Sequence, residues 1–169
     1  LSVLVTGGGS GIGEGIAQFY IERGAKVTIC GRRQDKIDAV AARLGERCLA
    51  VQADITTEED RREAVQMAVT HGGKLDVLVS NAGNMIRGDI DTLREDSLVD
   101  IFKTNVIAGM LLTGLCKPHL AKNGGAIIFI GSIHTRRAFP GASAYAATKG
   151  ALETLTRVLA AELGGHNIR

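Results

Sequence analysis

The chain opens with Leu1-Ser-Val-Leu-Val-Thr6, a short apolar run, followed at once by Gly7-Gly8-Gly9-Ser10-Gly11-Ile12-Gly13. A helical stretch then runs from Glu14 to Arg23, with apolar residues at Ile16, Ala17, Phe19, Tyr20 and Ile21. A strand, a glycine turn and a helix in that order point helical N–H groups at the mouth of the turn. There they form a ready site for a phosphate or diphosphate. Glycine is required where the backbone takes positive φ and where a ligand comes close. No register of the stretch fits G-x-G-x-x-G. Gly8 and Gly13 have the separation of a Walker loop, but Glu14 stands where that motif needs Lys.

Beyond this turn, short apolar runs and helical periods alternate along the whole chain, which predicts βαβ units and a parallel sheet. Strands are expected at Ser2–Thr6, Lys26–Cys30, Cys48–Gln52, Val77–Ser80 and Ala126–Ile130. Their nearly continuous apolar character suits strands covered by helices on both faces. Helices are expected over Gly11–Arg23, Arg33–Leu44, Glu58–Thr70, Ser97–Lys117 and Ala144–Leu163, with Gly24 and Gly45 just past helix ends and Thr57 with Asp60 at a helix start. The expected fold is a three-layer αβα, doubly wound, Rossmann-type parallel sheet. Right-handed crossovers give the strand order 3-2-1-4-5 and a crevice at the carboxyl ends of strands 1 and 4. No repeat or linker interrupts residues 1–169, so one domain is expected.

The bulk chemistry narrows the partners. A net charge of +2 with scattered basic residues predicts no nucleic-acid partner. Cys30, Cys48 and Cys116 lack CxxC or metal-ligand spacing, which predicts buried reduced thiols, no metal and a cytoplasmic setting. The longest apolar stretch, Val106 to Leu115, is read as too short to cross a bilayer, so no membrane partner is expected.

Near the far end, Tyr145 and Lys149 stand four residues apart, thirteen residues after Ser132. At i,i+4 on a helix the phenol and the ammonium share a face. A free phenol titrates near ~10 and is a poor proton shuttle at neutral pH. An ammonium one turn away favours the phenolate, which is how such a group becomes a general acid–base. The spacing by itself also fits an ordinary exposed helix.

Taken together, Thr6-Gly7-x-x-x-Gly11-x-Gly13, Asn81-Ala82-Gly83, Asn105, Ser132 and Tyr145-x-x-x-Lys149 resemble the short-chain dehydrogenase/reductase family, in order and at family-like spacing. The likeness is to its single-domain branch of about 250 residues. It implies about 80 further residues here, two more strands and a helical flap among them. It implies Tyr145 as general acid or base, Lys149 as its tuner and ribose ligand, Ser132 as a donor to the substrate oxygen, and Asn105 as the holder of a water that connects Lys149 to solvent. It also implies that Gly7, Gly9, Ser10, Gly11, Ile12 and Gly13 cradle the cofactor's diphosphate. Asp54 and the adjoining Ile55 would meet the adenine, with Asn81, Ala82 and Gly83 beside the adenosine ribose.

At the end of the second strand, Cys30-Gly31-Arg32-Arg33 carries no acid where a carboxylate would hold a ribose 2′-hydroxyl. A guanidinium there can bind a 2′-phosphate, so Arg32 and Arg33 point to NADP(H) over NAD(H), although the same pair also suits a solvated helix start. Ser10 occupies a loop position where many NADP-using relatives carry a basic residue. The resemblance further implies, as substrate, a small carbonyl compound or alcohol: a ketone, sugar, steroid or 3-oxoacyl compound. The helices around Val99–Leu115 and Ala146–Leu163 are apolar over more than one face, and since relatives pair such helices between subunits the resemblance implies a homo-oligomer, a tetramer or dimer. His134, Arg136 and Arg137 carry two readings each, substrate contact or loop residue.

Overall fold

The computed structural model describes residues 1–169. Five parallel strands form one sheet in the order β3-β2-β1-β4-β5. They are β1 (Ser2–Thr6), β2 (Lys26–Gly31), β3 (Cys48–Gln52), β4 (Val77–Ser80) and β5 (Ala126–Phe129). The intervening helices are α1 (Gly11–Glu22), α2 (Gln34–Leu44), α3 (Glu58–Gly72), α4 (Glu95–Phe102), α5 (Ala108–Leu120) and α6 (Ser143–Gly164). Expected and observed elements agree to within three residues at each end, and the strand order is the expected one.

Alternation along the strands divides the core. Val3, Val5, Val27, Ile29, Val77 and Val79 pack with Ala17, Ile37 and Val40 of α1 and α2 on one face. Leu4, Cys30 and Leu78 point the other way and pack with Ala64 and Ala68 of α3 and with Leu112, Cys116 and Leu120 of α5. A period of two on strands covered on both sides produces this: most strand residues are apolar and each face claims every second one, with the polar exceptions Ser2, Thr6, Lys26, Thr28, Gln52 and Ser80. Cys30 and Cys116 lie in one layer and Cys48 in the other. Burial pushes the Cys30 and Cys116 thiols up to about 12 and the Cys48 thiol up to about 11.

Besides a 3-10 turn at Ile90–Thr92, two regions depart from the sequence reading. α4 and α5 are joined by a π-helical turn, Lys103–Ile107, into one continuous helix, Glu95–Leu120, of 26 residues. By length and composition alone this helix is long and apolar enough to cross a membrane, with an 18-residue window of mean hydropathy 1.4, a property that it shares with buried core helices. Here it lies along the sheet with Ile101, Leu112, Cys116 and Leu120 wholly buried. The second departure is a 3-10 turn, Ile133–Thr135, directly after Ser132. Past α6, Ile168 bridges Gly125 in parallel, with Ile127 N–H donating to Arg169 O (2.9 Å) and Arg169 N–H to Gly125 O (3.0 Å).

Candidate active site

The carboxyl ends of β1 and β4 are tied together by their own side chains. Thr6 Oγ1 accepts the N–H groups of Asn81 (3.0 Å) and Ala82 (2.9 Å). Asn81 Nδ2 returns two bonds, to Thr6 O (2.9 Å) and Gly7 O (3.2 Å). The side chain of Asn81 therefore holds the two strand ends in place, and the crevice opens above them. Gly7 turns off β1 at φ +67°, and a Cβ at Gly13 would stand 2.3 Å from Gly7 O, so α1 can seat here only on a bare glycine.

The cleft above measures about 450 Å³. Its floor is the glycine loop, with Gly7, Gly9, Ser10 and Ile12 at the surface. Ser10 is extended at the N-cap of α1 and its hydroxyl makes no capping bond. The first-turn N–H groups of α1, which have no intrahelical acceptor, are left facing the cleft mouth. A Cβ at Gly11 would meet nothing within 4 Å. Gly11 and Gly13 themselves do not line the cleft; they shape the turn that does.

One end of the cleft is basic. Arg32, Arg33 and Lys36 line it, and Arg33 Nη2 donates to Ser10 Oγ (3.4 Å) across the loop. Lys36 was not singled out from sequence, although it stands one helical turn after Arg32. A Cβ at Gly9 would lie 3.2 Å from its Cβ, so loop and α2 are in close contact. Opposite, Asp54 and Ile55 form the wall. Burial raises the Asp54 pKa, but bonds from Thr56 N–H and Oγ1 and the Arg32 and Lys103 charges outweigh it and hold the carboxyl below its ordinary value. The loop is fixed from behind: Asp60 Oδ2 accepts Asp54 N–H (2.6 Å), and the buried Arg61 donates to Ile55 O (2.7 Å). Ala82 and Gly83 line the middle.

At the other end stand Tyr145 and Lys149, both on the cleft wall and on the first two turns of α6. Lys149 Nζ lies 5.6 Å from the Tyr145 ring centroid and donates to Ile130 O (2.7 Å). Lys149 is only 5% exposed, and burial lowers its pKa. Ser132 lies outside this cleft, in a smaller cavity that Lys149 also borders. No hydrogen bond joins it to Tyr145; His134 stands between, bonded to Ser132 Oγ through Nδ1 (3.0 Å) and edge-to-face with the Tyr145 ring at 5.1 Å. Arg136 pairs with Glu153 (3.0 Å) at the surface.

Asn105, in the π turn, is buried behind the cleft. Its Oδ1 accepts Asn84 N–H (2.9 Å), and its Nδ2 donates to Asn84 O (2.9 Å) and Thr148 Oγ1 (3.1 Å). Both amide protons are used within the protein, so the side chain has no donor left for a water. Asn84 and Thr148 went unnoticed in the sequence, since the contacts that matter lie 21 and 43 residues away.

A doubly wound sheet with an uncapped helix mouth, a basic end and a tyrosine–lysine end defines a dinucleotide-type α/β protein. From residue 2 to 169 the sequence matches the short chain dehydrogenase family, and the chain belongs to it. It is 36% identical over 166 residues to a hydroxynaphthalene reductase of Aspergillus fumigatus, covering 95% of this chain and 60% of that protein. It is 34% identical over 168 residues to the 3-phenylpropionate-dihydrodiol/cinnamic acid-dihydrodiol dehydrogenase of Shigella sonnei, covering 96% and 62%. Among solved structures, it resembles the 3-ketoacyl-(acyl-carrier-protein) reductase from Brucella melitensis complexed with NADH, with a TM-score of 0.96, 36% identity and coverage of 99% of this chain and 72% of that one. The chain thus spans about 60% of the length of the two curated relatives.

Proposed function

We propose that this chain is the cofactor-binding and proton-transferring part of an NADP(H)-dependent oxidoreductase that interconverts a ketone and a secondary alcohol. The observation that carries the reading is that one cleft holds the uncapped α1 mouth, three basic side chains and the Tyr145–Lys149 pair. The residues fit a dinucleotide: the helix mouth suits its diphosphate, and Arg32, Arg33 and Lys36 suit a 2′-phosphate. When bound, the nicotinamide supplies or accepts the hydride.

What remains falls to the side chains. Tyr145 holds the proton, giving it to the substrate oxygen in reduction and taking it back in oxidation. Lys149, buried beside the ring, favours the phenolate at the moment the proton leaves. Ser132 donates to the oxygen where negative charge develops. Asn105 does not need to touch either partner; its bonds to Asn84 and Thr148 fix the loop after β4 against the helix that carries Tyr145. The test is NADPH consumption against a panel of ketones, sugars, steroids and 3-oxoacyl compounds, with NADH in parallel. No turnover on any, in a chain that binds NADPH, would leave a nucleotide-binding module.

Assembly follows from the outer helices. Ile107, Met110 and Leu111 of the long helix stand nearly half exposed, as does Val158 of α6. These exposed apolar side chains support a homo-oligomer that would bury them, read by light scattering at micromolar concentration; a monomer there counts against it.

A further inference from the structure

His134 belongs to no motif that led to the site, yet its ring touches both Ser132 and Tyr145. We propose that His134 is a positioning residue that turns the Ser132 hydroxyl proton outward, toward the substrate oxygen. The inference rests on the reading of Ser132 as a donor to that oxygen.

The argument is a count of protons and lone pairs. A serine hydroxyl has one proton and two acceptor lone pairs. The backbone N–H of His134 donates to Ser132 Oγ at 3.3 Å, filling one lone pair. Nδ1 of the same residue lies 3.0 Å from the same oxygen. Only two neutral arrangements exist. With the proton on Nε2, Nδ1 is a bare acceptor that captures the serine proton and turns it away from the substrate. With the proton on Nδ1, the ring donates, both lone pairs of Oγ are filled, and the hydroxyl proton has no protein acceptor left.

The far side of the ring decides between them. Nε2 is sealed from solvent and has no partner. It belongs to a ring held between Phe139, centroids 4.4 Å apart, and Tyr145, 5.1 Å apart. Placing the proton there buries an unpaired donor and spends the serine proton as well; placing it on Nδ1 leaves only a bare ring nitrogen, the cheaper orphan. Two donors converging on Oγ also polarise the O–H bond that remains, as bonds in a chain do. Ser132 then arrives as a prepared donor.

The experiment has two arms. Long-range proton–nitrogen spectra of the full chain, carrying labelled histidine, report the His134 tautomer without substrate; His134→Phe identifies its signal among the four histidines. A proton on Nδ1 is expected, and a ring protonated on Nε2 alone overturns the proposal. In turnover, His134→Phe keeps an aromatic ring and loses the bond, so kcat should fall roughly three- to tenfold, the worth of one net hydrogen bond. KM for NADPH should not move. His134→Asn, whose amide can reach Oγ, should recover most of the loss. In a Ser132→Ala background, His134→Phe should have no further effect; an equal fall in both backgrounds makes the role merely structural and overturns the assignment. Ser132→Ala with full turnover would instead fault the reading of the site, and the spectra tell the two failures apart.

Discussion

The Asn105 amide and the backbone of Asn84 bond to each other in both directions, Nδ2 to carbonyl and N–H to Oδ1, each at 2.9 Å. This pair anchors the loop after β4 to the π turn. Asn105→Ala would leave two backbone groups and the Thr148 hydroxyl short of a partner. We expect a loss of about 1–3 kcal/mol in unfolding free energy, read from urea titration. A change below about 0.5 kcal/mol would mean that water takes over the bonds at no cost.

Lys149 is held in the fold at a cost in stability. Burial lowers its pKa, so the ammonium is disfavoured in the fold. In the window between that lowered value and the free lysine value near ~10.4, the unfolded chain binds the extra proton, and stability rises with pH. Below the window the cost is fully present. Lys149→Met should therefore match or exceed the wild-type melting temperature at neutral pH, lose the alkaline rise, and lose turnover. Tyr145→Phe should lose turnover roughly a hundredfold or more while NADPH still binds. A phenylalanine variant retaining a tenth of the activity places the proton elsewhere.

Cofactor preference should divide between two guanidinium groups. Arg33 is already bonded to Ser10, whereas the Arg32 guanidinium has no hydrogen-bond partner and its charge lies near Asp54. Removing one guanidinium–phosphate contact should weaken NADPH binding by about ten- to a hundredfold and leave NADH almost unchanged. Dissociation constants for Arg32→Ala and Arg33→Ala show which one carries it. Equal affinities of wild type for the two cofactors would refute the assignment.

Gly13 and Gly15 share a helix and should answer oppositely to alanine. A Cβ at Gly13 meets backbone Gly7 O at 2.3 Å; at Gly15 it meets nothing within 4 Å. Gly13→Ala should cost about 1–3 kcal/mol and disturb the loop. Gly15→Ala should gain about 0.5–1 kcal/mol from helix propensity. Thermal melts of the two variants decide this directly.

The sheet order, all five strands and the placement of Tyr145 beside Lys149 were legible because periodicity and i,i+4 spacing are local properties. What escaped the sequence were contacts set by how loops fold back. Asn105 was expected to hold a water, and its amide bonds Asn84 and Thr148; Ser132 was expected to meet the substrate oxygen, and its hydroxyl also meets His134 two residues on. Lys36 had a readable signal, a third basic group one turn after Arg32. The π turn had none, because one inserted residue in a helix leaves the apolar pattern on either side intact.

The three buried thiols also amount to a clock. Each reacts only when its surroundings open, because burial both blocks access and keeps the sulfur protonated. Cys30 and Cys116 sit on one side of the sheet and Cys48 on the other. Alkylation timed by mass spectrometry under native conditions therefore reads the opening of each helical layer separately, and shows whether the α1–α2 side loosens before the side that carries α6.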